Sequence, residues 1–167
     1  MGYLVSRPLT VVLDVVAWGV VHAATGYLVH RLAARRFDGD WWIHRRRRFE
    51  RDGAFYVRVL RIKAWKRWLP EAGGLFPGGF DKRSLRAARD PRYLEVYRRE
   101  TRRAELGHWL VPAAAPVFVL WNPPGVAVVM VVYAIVANGP CVAAQRYNRI
   151  RLDRVLARQP SASSDPT

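Results

Sequence analysis

The chain has 167 residues, of which 51% are hydrophobic, yet its formal net charge is +15. A soluble domain seldom combines the two, whereas a membrane protein separates them into apolar and basic blocks. Its seven Trp and seven Tyr residues are typical of membrane–water boundaries. The apolar blocks favour the anionic cytoplasmic leaflet over nucleic acid as the partner of the charge. The single cysteine excludes an internal disulfide framework.

The first apolar block, 8–29, is predicted to be a membrane-spanning helix. Its 22 residues would measure about 33 Å as a helix, enough for a hydrocarbon core of about 30 Å. A cleaved signal peptide is the second interpretation, although Arg7 alone is a thin basic region and the apolar run is long for a signal. Asp14 and His22 lie within this block, and their roles stay open, as does that of Cys141.

The middle of the chain, 30–103, holds most of the Lys and Arg residues and is expected to lie in the cytoplasm by the positive-inside rule. Within it, 54–69 (AFYVRVLRIKAWKRWL) is predicted to be an interfacial helix. The Gly- and Pro-rich stretch 70–80 must be a loop. Asp90 followed by Pro91 is a helix N-cap signal, which predicts a helix over 91–105.

Two further apolar blocks, 106–121 and 126–145, flank an Asn-Pro-Pro-Gly turn and are predicted to form a helical hairpin. The first is short and contains two prolines, so a full crossing and a re-entrant hairpin both remain open. The sequence thus predicts an all-α, multi-pass integral protein of the bacterial plasma membrane, with about three hydrophobic helices and the N-terminus outside. It forms one membrane domain over 1–159 and a disordered tail over 160–167.

Counting residues from the turn in both directions brings His108 level with Asn138, about 20 Å from the turn along the helix axes. Polar side chains of the two helices then converge at the cytoplasmic boundary. They are either a ring of charges that reach the headgroups or the lining of a site. They comprise Glu100, Arg103, Glu105 and His108 on the first helix, and Asn138, Gln145, Arg146, Tyr147, Asn148 and Arg149 on the second.

Glu105 and His108 are spaced i, i+3, so a carboxylate can orient and charge the imidazole as in general-base catalysis. A purely structural hydrogen bond is the alternative. No metal site is predicted, because the second Glu-x-x-His of a di-iron protein is missing. Asn138-Gly139-Pro140 interrupts the last apolar block and marks either a proline kink or a binding site. The sequence contains neither a phosphate loop nor a nucleophile elbow.

Four motifs carry a family resemblance: KAWKRWLPEAGGLFPGGFDKRSL, YRRETRRAELGHW, LWNP and NGPCVAAQRYNRIRL. In that order they resemble the glycosyl-4,4′-diaponeurosporenoate acyltransferases, the membrane acyltransferases of the staphyloxanthin-type carotenoid pathway. The resemblance covers roughly residues 60–152. It implies transfer of a fatty acyl group to a sugar hydroxyl of a glycosylated isoprenoid, carotenoid or related glycolipid. It implies no tightly bound cofactor, and acyl-CoA or a similar donor as co-substrate.

For that reaction, His108 supported by Glu105 is expected to deprotonate the hydroxyl, and Asn138 or a backbone N–H near Gly139 to stabilise the oxyanion. Arginines are expected to hold the donor's phosphates, and the glycine-rich loop to close over the donor. These donor contacts are Arg103, Arg146 and Arg149, with Glu71, Gly73 and Gly74 of the loop. The alternative is a non-catalytic membrane subunit that docks lipid headgroups or a partner enzyme.

Overall fold

The computed structural model describes residues 6–69 and 90–158, and all regular elements in these ranges are helical, as predicted. Five α-helices are described: α1 Arg7–Arg31, α2 Ala54–Arg58, α3 Ile62–Trp65, α4 Pro91–Ala114 and α5 Pro124–Arg158. Short 3-10 turns lie at Ala34–Phe37, Arg48–Glu50, Lys66–Trp68 and Ala115–Leu120. The predicted loop 70–80 and tail 160–167 lie outside the described residues.

Two of the described helices, α1 and α5, are long and apolar enough to cross a membrane. Only 11% of the most apolar window of α1 and 22% of that of α5 are buried within the chain. A core helix of a soluble protein would be buried for most of its length, so these exposed apolar faces suit lipid contact. The third predicted crossing, 106–121, is divided between the end of α4 and the turn Ala115–Leu120. A count of three spans therefore stays a prediction.

The predicted hairpin is formed by α4 and α5. The side chain of Asp90 caps α4 by accepting a 2.9 Å hydrogen bond from the N–H of Arg92, with Pro91 in the first turn. The helix continues through the boundary expected at residue 105 and contains Pro112. Helix α5 runs through Pro140 without a break, so of the two alternatives for Asn138-Gly139-Pro140 a broken helix is not formed.

The prediction of a single interfacial helix over 54–69 is wrong. The structure forms α2 and α3 with a break between them, where Arg61 takes a left-handed conformation (φ 47°). Tyr56 and Ile62 both pack in one buried cluster with Ala144, Tyr147 and Ile150 of α5. Six residues apart on a straight helix, they would point about 120° away from each other. The break lets both bury their side chains against α5.

The first helix is attached to the hairpin at both ends. Near its start, Asp14 accepts hydrogen bonds of 2.8 Å from both Trp121 Nε1 and Asn122 Nδ2. At its end, Arg103 of α4 donates to the carbonyl of His30 at 2.9 Å. Between them Trp18 stacks on Phe118 with ring centroids 4.5 Å apart. Asp14 therefore joins α1 to the turn of the hairpin.

Candidate functional site

A buried network of four charged side chains joins α4 and α5 to the turn Arg48–Glu50. Glu105 is fully buried, and its two oxygens accept from Arg146 Nη1 and Arg149 Nη1, each at 2.6 Å. Glu50 is 1% exposed and accepts from Arg146 Nε at 2.6 Å and from Nη2 at 3.0 Å. Arg146 thus bridges two carboxylates. We call Glu50, Glu105, Arg146 and Arg149 the arginine network.

The remaining donors of the arginine network hold the chain segment that precedes Glu50. Arg146 donates to the carbonyls of Ile43 and Arg45, each at 2.8 Å, and Arg149 donates to that of His44 at 3.0 Å. Buried charges are tolerated when each is paired and hydrogen-bonded. The network therefore fastens the segment 43–50 to α5.

The titratable groups around the network respond to burial. Burial alone would raise the pKa of Glu50, but hydrogen bonds from Arg146, Tyr56 and the Arg47 backbone outweigh it and lower the pKa to about 2. Burial, reinforced by the hydrogen bond to Glu50, raises the pKa of Tyr56. Burial lowers the pKa of His44 to about 4, so this imidazole is neutral at pH 7.

His108 is paired with Asn138. Its Nδ1 lies 3.0 Å from Asn138 Oδ1, and Asn138 Nδ2 donates to the carbonyl of Ala134 at 2.9 Å. Since that carbonyl can only accept, the amide oxygen of Asn138 must face the imidazole. His108 then carries its proton on Nδ1, and Nε2 is the basic nitrogen. The register predicted for these two residues is confirmed.

A cavity of about 1090 Å³ lies beside His108. One face of α5 contributes residues at spacings of four and three: Cys141, Gln145, Asn148, Leu152 and Val155. Much of the remaining lining comes from the segment 52–69. Because His108 lines this cavity, a substrate bound there can reach the imidazole.

Two polar groups of α5 in this cavity differ in how they are satisfied. Asn148 Oδ1 accepts from Lys66 Nζ at 2.5 Å. Gln145 Oε1 is buried and has no hydrogen-bond partner within the described parts of the chain. A buried amide oxygen without a partner costs free energy.

The structure brings only some of the predicted site residues together. His108, Gln145, Tyr147 and Asn148 line the cavity, with Asn138 in contact with His108. Three loop residues with predicted roles, Glu71, Gly73 and Gly74, lie outside the described residues.

The contacts expected for Glu105 need correction. Its oxygens accept hydrogen bonds from Arg146 and Arg149 instead of orienting His108. Two buried guanidinium groups are more costly without a carboxylate partner than one partly buried imidazole is. His108 instead donates from Nδ1 to Asn138 Oδ1.

The three arginines expected to bind phosphate are engaged elsewhere. Arg146 and Arg149 belong to the arginine network, and Arg103 holds the end of α1 and lies 3.2 Å from Glu100. The expected oxyanion donor near Gly139 is also lost, since backbone N–H groups inside a continuous helix bond to carbonyls four residues earlier.

Sequence reasoning missed the cations that line the cavity and the carboxylate that completes the network. Glu50 is the one acid within a strongly basic run, WWIHRRRRFER, and this isolation was the available signal. The cations had no such signal, because basic residues occur throughout the segment 30–103. They are Arg58, Lys63, Lys66, Arg67, Arg151 and Arg154. Across residues 6–69 and 90–158, no three His, Cys, Asp or Glu side chains are grouped to hold a metal.

Comparison with known proteins gives consistent results. Residues 39–158 match the family model for glycosyl-4,4′-diaponeurosporenoate acyltransferase. Proteins of that name from Staphylococcus aureus strains USA300, Newman and MRSA252 are each 30% identical over 140 residues, covering 83% of either chain. No solved structure matches the chain. The resemblance seen in the motifs is confirmed, as is the expectation of a bacterial acyltransferase enzyme.

Proposed function

Because this chain belongs to the glycosyl-4,4′-diaponeurosporenoate acyltransferase family, we propose that it transfers a fatty acyl group to a hydroxyl of a lipid-soluble glycosylated acceptor, in the cavity beside His108. The acceptor is a glycosylated isoprenoid, a carotenoid or a related glycolipid. The observation that carries the proposal is the His108–Asn138 pair at a cavity wall. It supplies an oriented base next to a cavity of about 1090 Å³.

In this mechanism His108 Nε2 takes the proton of the acceptor hydroxyl as its oxygen attacks the carbonyl carbon of the acyl donor. The tetrahedral intermediate collapses by breaking the bond from that carbon to the leaving group, a thiolate in a thioester donor. The protonated His108 returns the proton to the leaving group. Asn138 acts through His108, since it holds the ring by accepting from Nδ1–H.

Gln145 is proposed to position a substrate. Its side chain lines the cavity one helical turn from Cys141, where it can contact a bound substrate. Glu105, in contrast, is assigned to the structure of the site: it holds Arg146 and Arg149, which lie on the turns of α5 that follow Gln145.

The site is proposed to lie at the cytoplasmic boundary of the bacterial plasma membrane. Asn138 is near the end of the apolar part of α5, and the basic residues begin at Arg146. The positive-inside rule places that basic end in the cytoplasm and the N-terminus of α1 outside. An apolar acceptor would then enter from the bilayer, and a polar donor from the cytoplasm.

The test replaces His108 by Ala in cells that make the acylated product, with His22→Ala of α1 as the matched histidine control. We expect H108A to lower product at least about 100-fold, as for loss of a general base, and H22A to retain it. Lipid extracts are compared by mass spectrometry at equal protein levels. Unchanged product with H108A would instead favour a non-catalytic membrane subunit. The identity of the acylated lipid separates carotenoid from glycolipid acceptors.

A further inference from the structure

We propose that one wall of the cavity binds the phosphates of a diffusible acyl thioester of the coenzyme A type. In such a donor a long flexible arm joins the phosphates to the thioester. We call this the cationic wall. This inference rests on the proposed function, because it takes the cavity to be where acyl transfer occurs. The cationic wall is formed by Arg58, Lys63, Lys66, Arg67 and Arg151.

Charge is the first argument for this ligand. The described lining of the cavity contains six Lys and Arg side chains and one acid, Asp52. That acid is paired with Arg154, which also lines the cavity. In the ranges 6–69 and 90–158, no carboxylate lies within salt-bridge distance of Arg58, Lys63, Arg67 or Arg151. These cations retain their capacity for an external anion.

Two of the cations contact the same aromatic ring. Lys66 Nζ lies 5.3 Å, and the guanidinium carbon of Arg151 5.9 Å, from the ring centroid of Tyr147. Cation–π attraction holds each of them beside Tyr147. Phosphate suits the position, because Arg and Lys are its usual protein ligands.

The length of the cavity selects the class of donor. Asn148, which receives Lys66, and Arg151 lie seven and ten residues beyond Cys141 on α5, or about 10 and 15 Å along the helix axis. Cys141 lies one helical turn from Asn138, the partner of His108. An acyl phosphate carries its phosphate directly on the reacting carbonyl and cannot span this separation. A thioester with an arm can.

The space between the two ends suits such an arm. On α5, Ala144, Gln145 and Tyr147 line the cavity between Cys141 and Arg151. The methylene groups of such an arm would contact Ala144 and the ring of Tyr147, and its amide groups would lie beside Gln145. Phospholipid headgroups carry the same phosphate chemistry, so the experiment has to separate a soluble ligand from a bilayer lipid.

The experiment measures binding without turnover. The protein is reconstituted in phosphatidylcholine nanodiscs and titrated calorimetrically with coenzyme A. The double variant Arg67→Gln/Arg151→Gln is compared with Arg35→Gln/Arg36→Gln, which removes the same charge from exposed residues outside the cavity lining. We expect Kd to rise at least about tenfold for the cavity variant, as for loss of one charge-assisted hydrogen bond. The control variant and pantetheine, which has no phosphate, should show no such difference.

The results separate the proposed phosphate subsite from the proposed catalytic role of His108. Equal coenzyme A affinity in the two double variants overturns the cationic wall. The cationic wall is also overturned if the protein binds anionic vesicles but not coenzyme A. It is overturned likewise if only a carrier-protein thioester supports turnover. His108→Ala should bind coenzyme A normally. If it also forms product normally, the role of His108 fails while the phosphate subsite stands.

Discussion

Arg146 and Arg151 lie five residues apart on α5, yet they have opposite surroundings. Arg146 is 8% exposed and donates to Glu50, Glu105 and two carbonyls. Arg151 is exposed, lines the cavity and contacts the face of Tyr147. Five residues correspond to about 500° of helical rotation, so their side chains point about 140° apart. One faces α4 and the segment 43–50, whereas the other faces the cavity.

The comparison shows that an arginine near a site is not thereby a ligand-binding residue. Removing a partner from the arginine network should destabilise the protein, because a buried charge loses its pair. Removing a charge from the cationic wall should weaken ligand binding and leave stability nearly unchanged. The two regions can therefore be separated by measuring stability and binding on the same variants.

The largest effect on stability is expected for Glu105→Gln. Without this carboxylate, the buried guanidinium groups of Arg146 and Arg149 lose a shared negative partner. Breaking a buried ion pair lowers the free energy of unfolding by about 3–5 kcal/mol. The free energy of unfolding in detergent checks this. Glu95→Gln is the control, since Glu95 makes a surface pair with Arg98. If both variants unfold alike, the network is not what stabilises this region.

A pH dependence of stability should follow from His44. Its pKa is lowered to about 4 in the folded state, mainly by burial, against 6.5 in the unfolded chain. Between these values the unfolded state binds more protons, so stability falls as the pH falls from 6.5 to 4, by at most about 1.4 kcal/mol per pH unit. Above pH 6.5 the contribution is fully present. In His44→Gln this part of the slope should disappear; a slope retained there would assign it to another group.

Beside the cavity, Asn138→Ala should affect the rate of acyl transfer more than the stability of the fold. Without the amide oxygen, the ring of His108 loses the acceptor that fixes its orientation and tautomer. We expect kcat to fall about tenfold or more with KM little changed, which corresponds to about 1.4 kcal/mol or more of lost transition-state stabilisation. Asn138→Ser, which keeps a hydroxyl acceptor, should recover part of the rate. Equal kcat in all three proteins would remove the positioning role.

Local patterns predicted several elements correctly because their causes are local. The apolar run of α1 and the Asp90 cap of α4 depend on neighbouring residues alone. The pairing of His108 with Asn138 was predictable from a turn and equal rise per residue in two helices. The prediction over 54–69 failed because packing of Tyr56 and Ile62 against α5 overrides local helix preference.

By itself, the sequence determined that this chain is helical, carries apolar segments of membrane length and belongs to an acyltransferase family. Only the tertiary structure decided which of its many arginines are structural. The reason is physical: Glu50 is 96 positions from Arg146 in the chain, and no periodicity or spacing encodes that contact. Burial and pairing of a charge depend on what the fold places beside it. Arg146 is therefore a structural residue, whereas Arg151 is a candidate phosphate-binding residue.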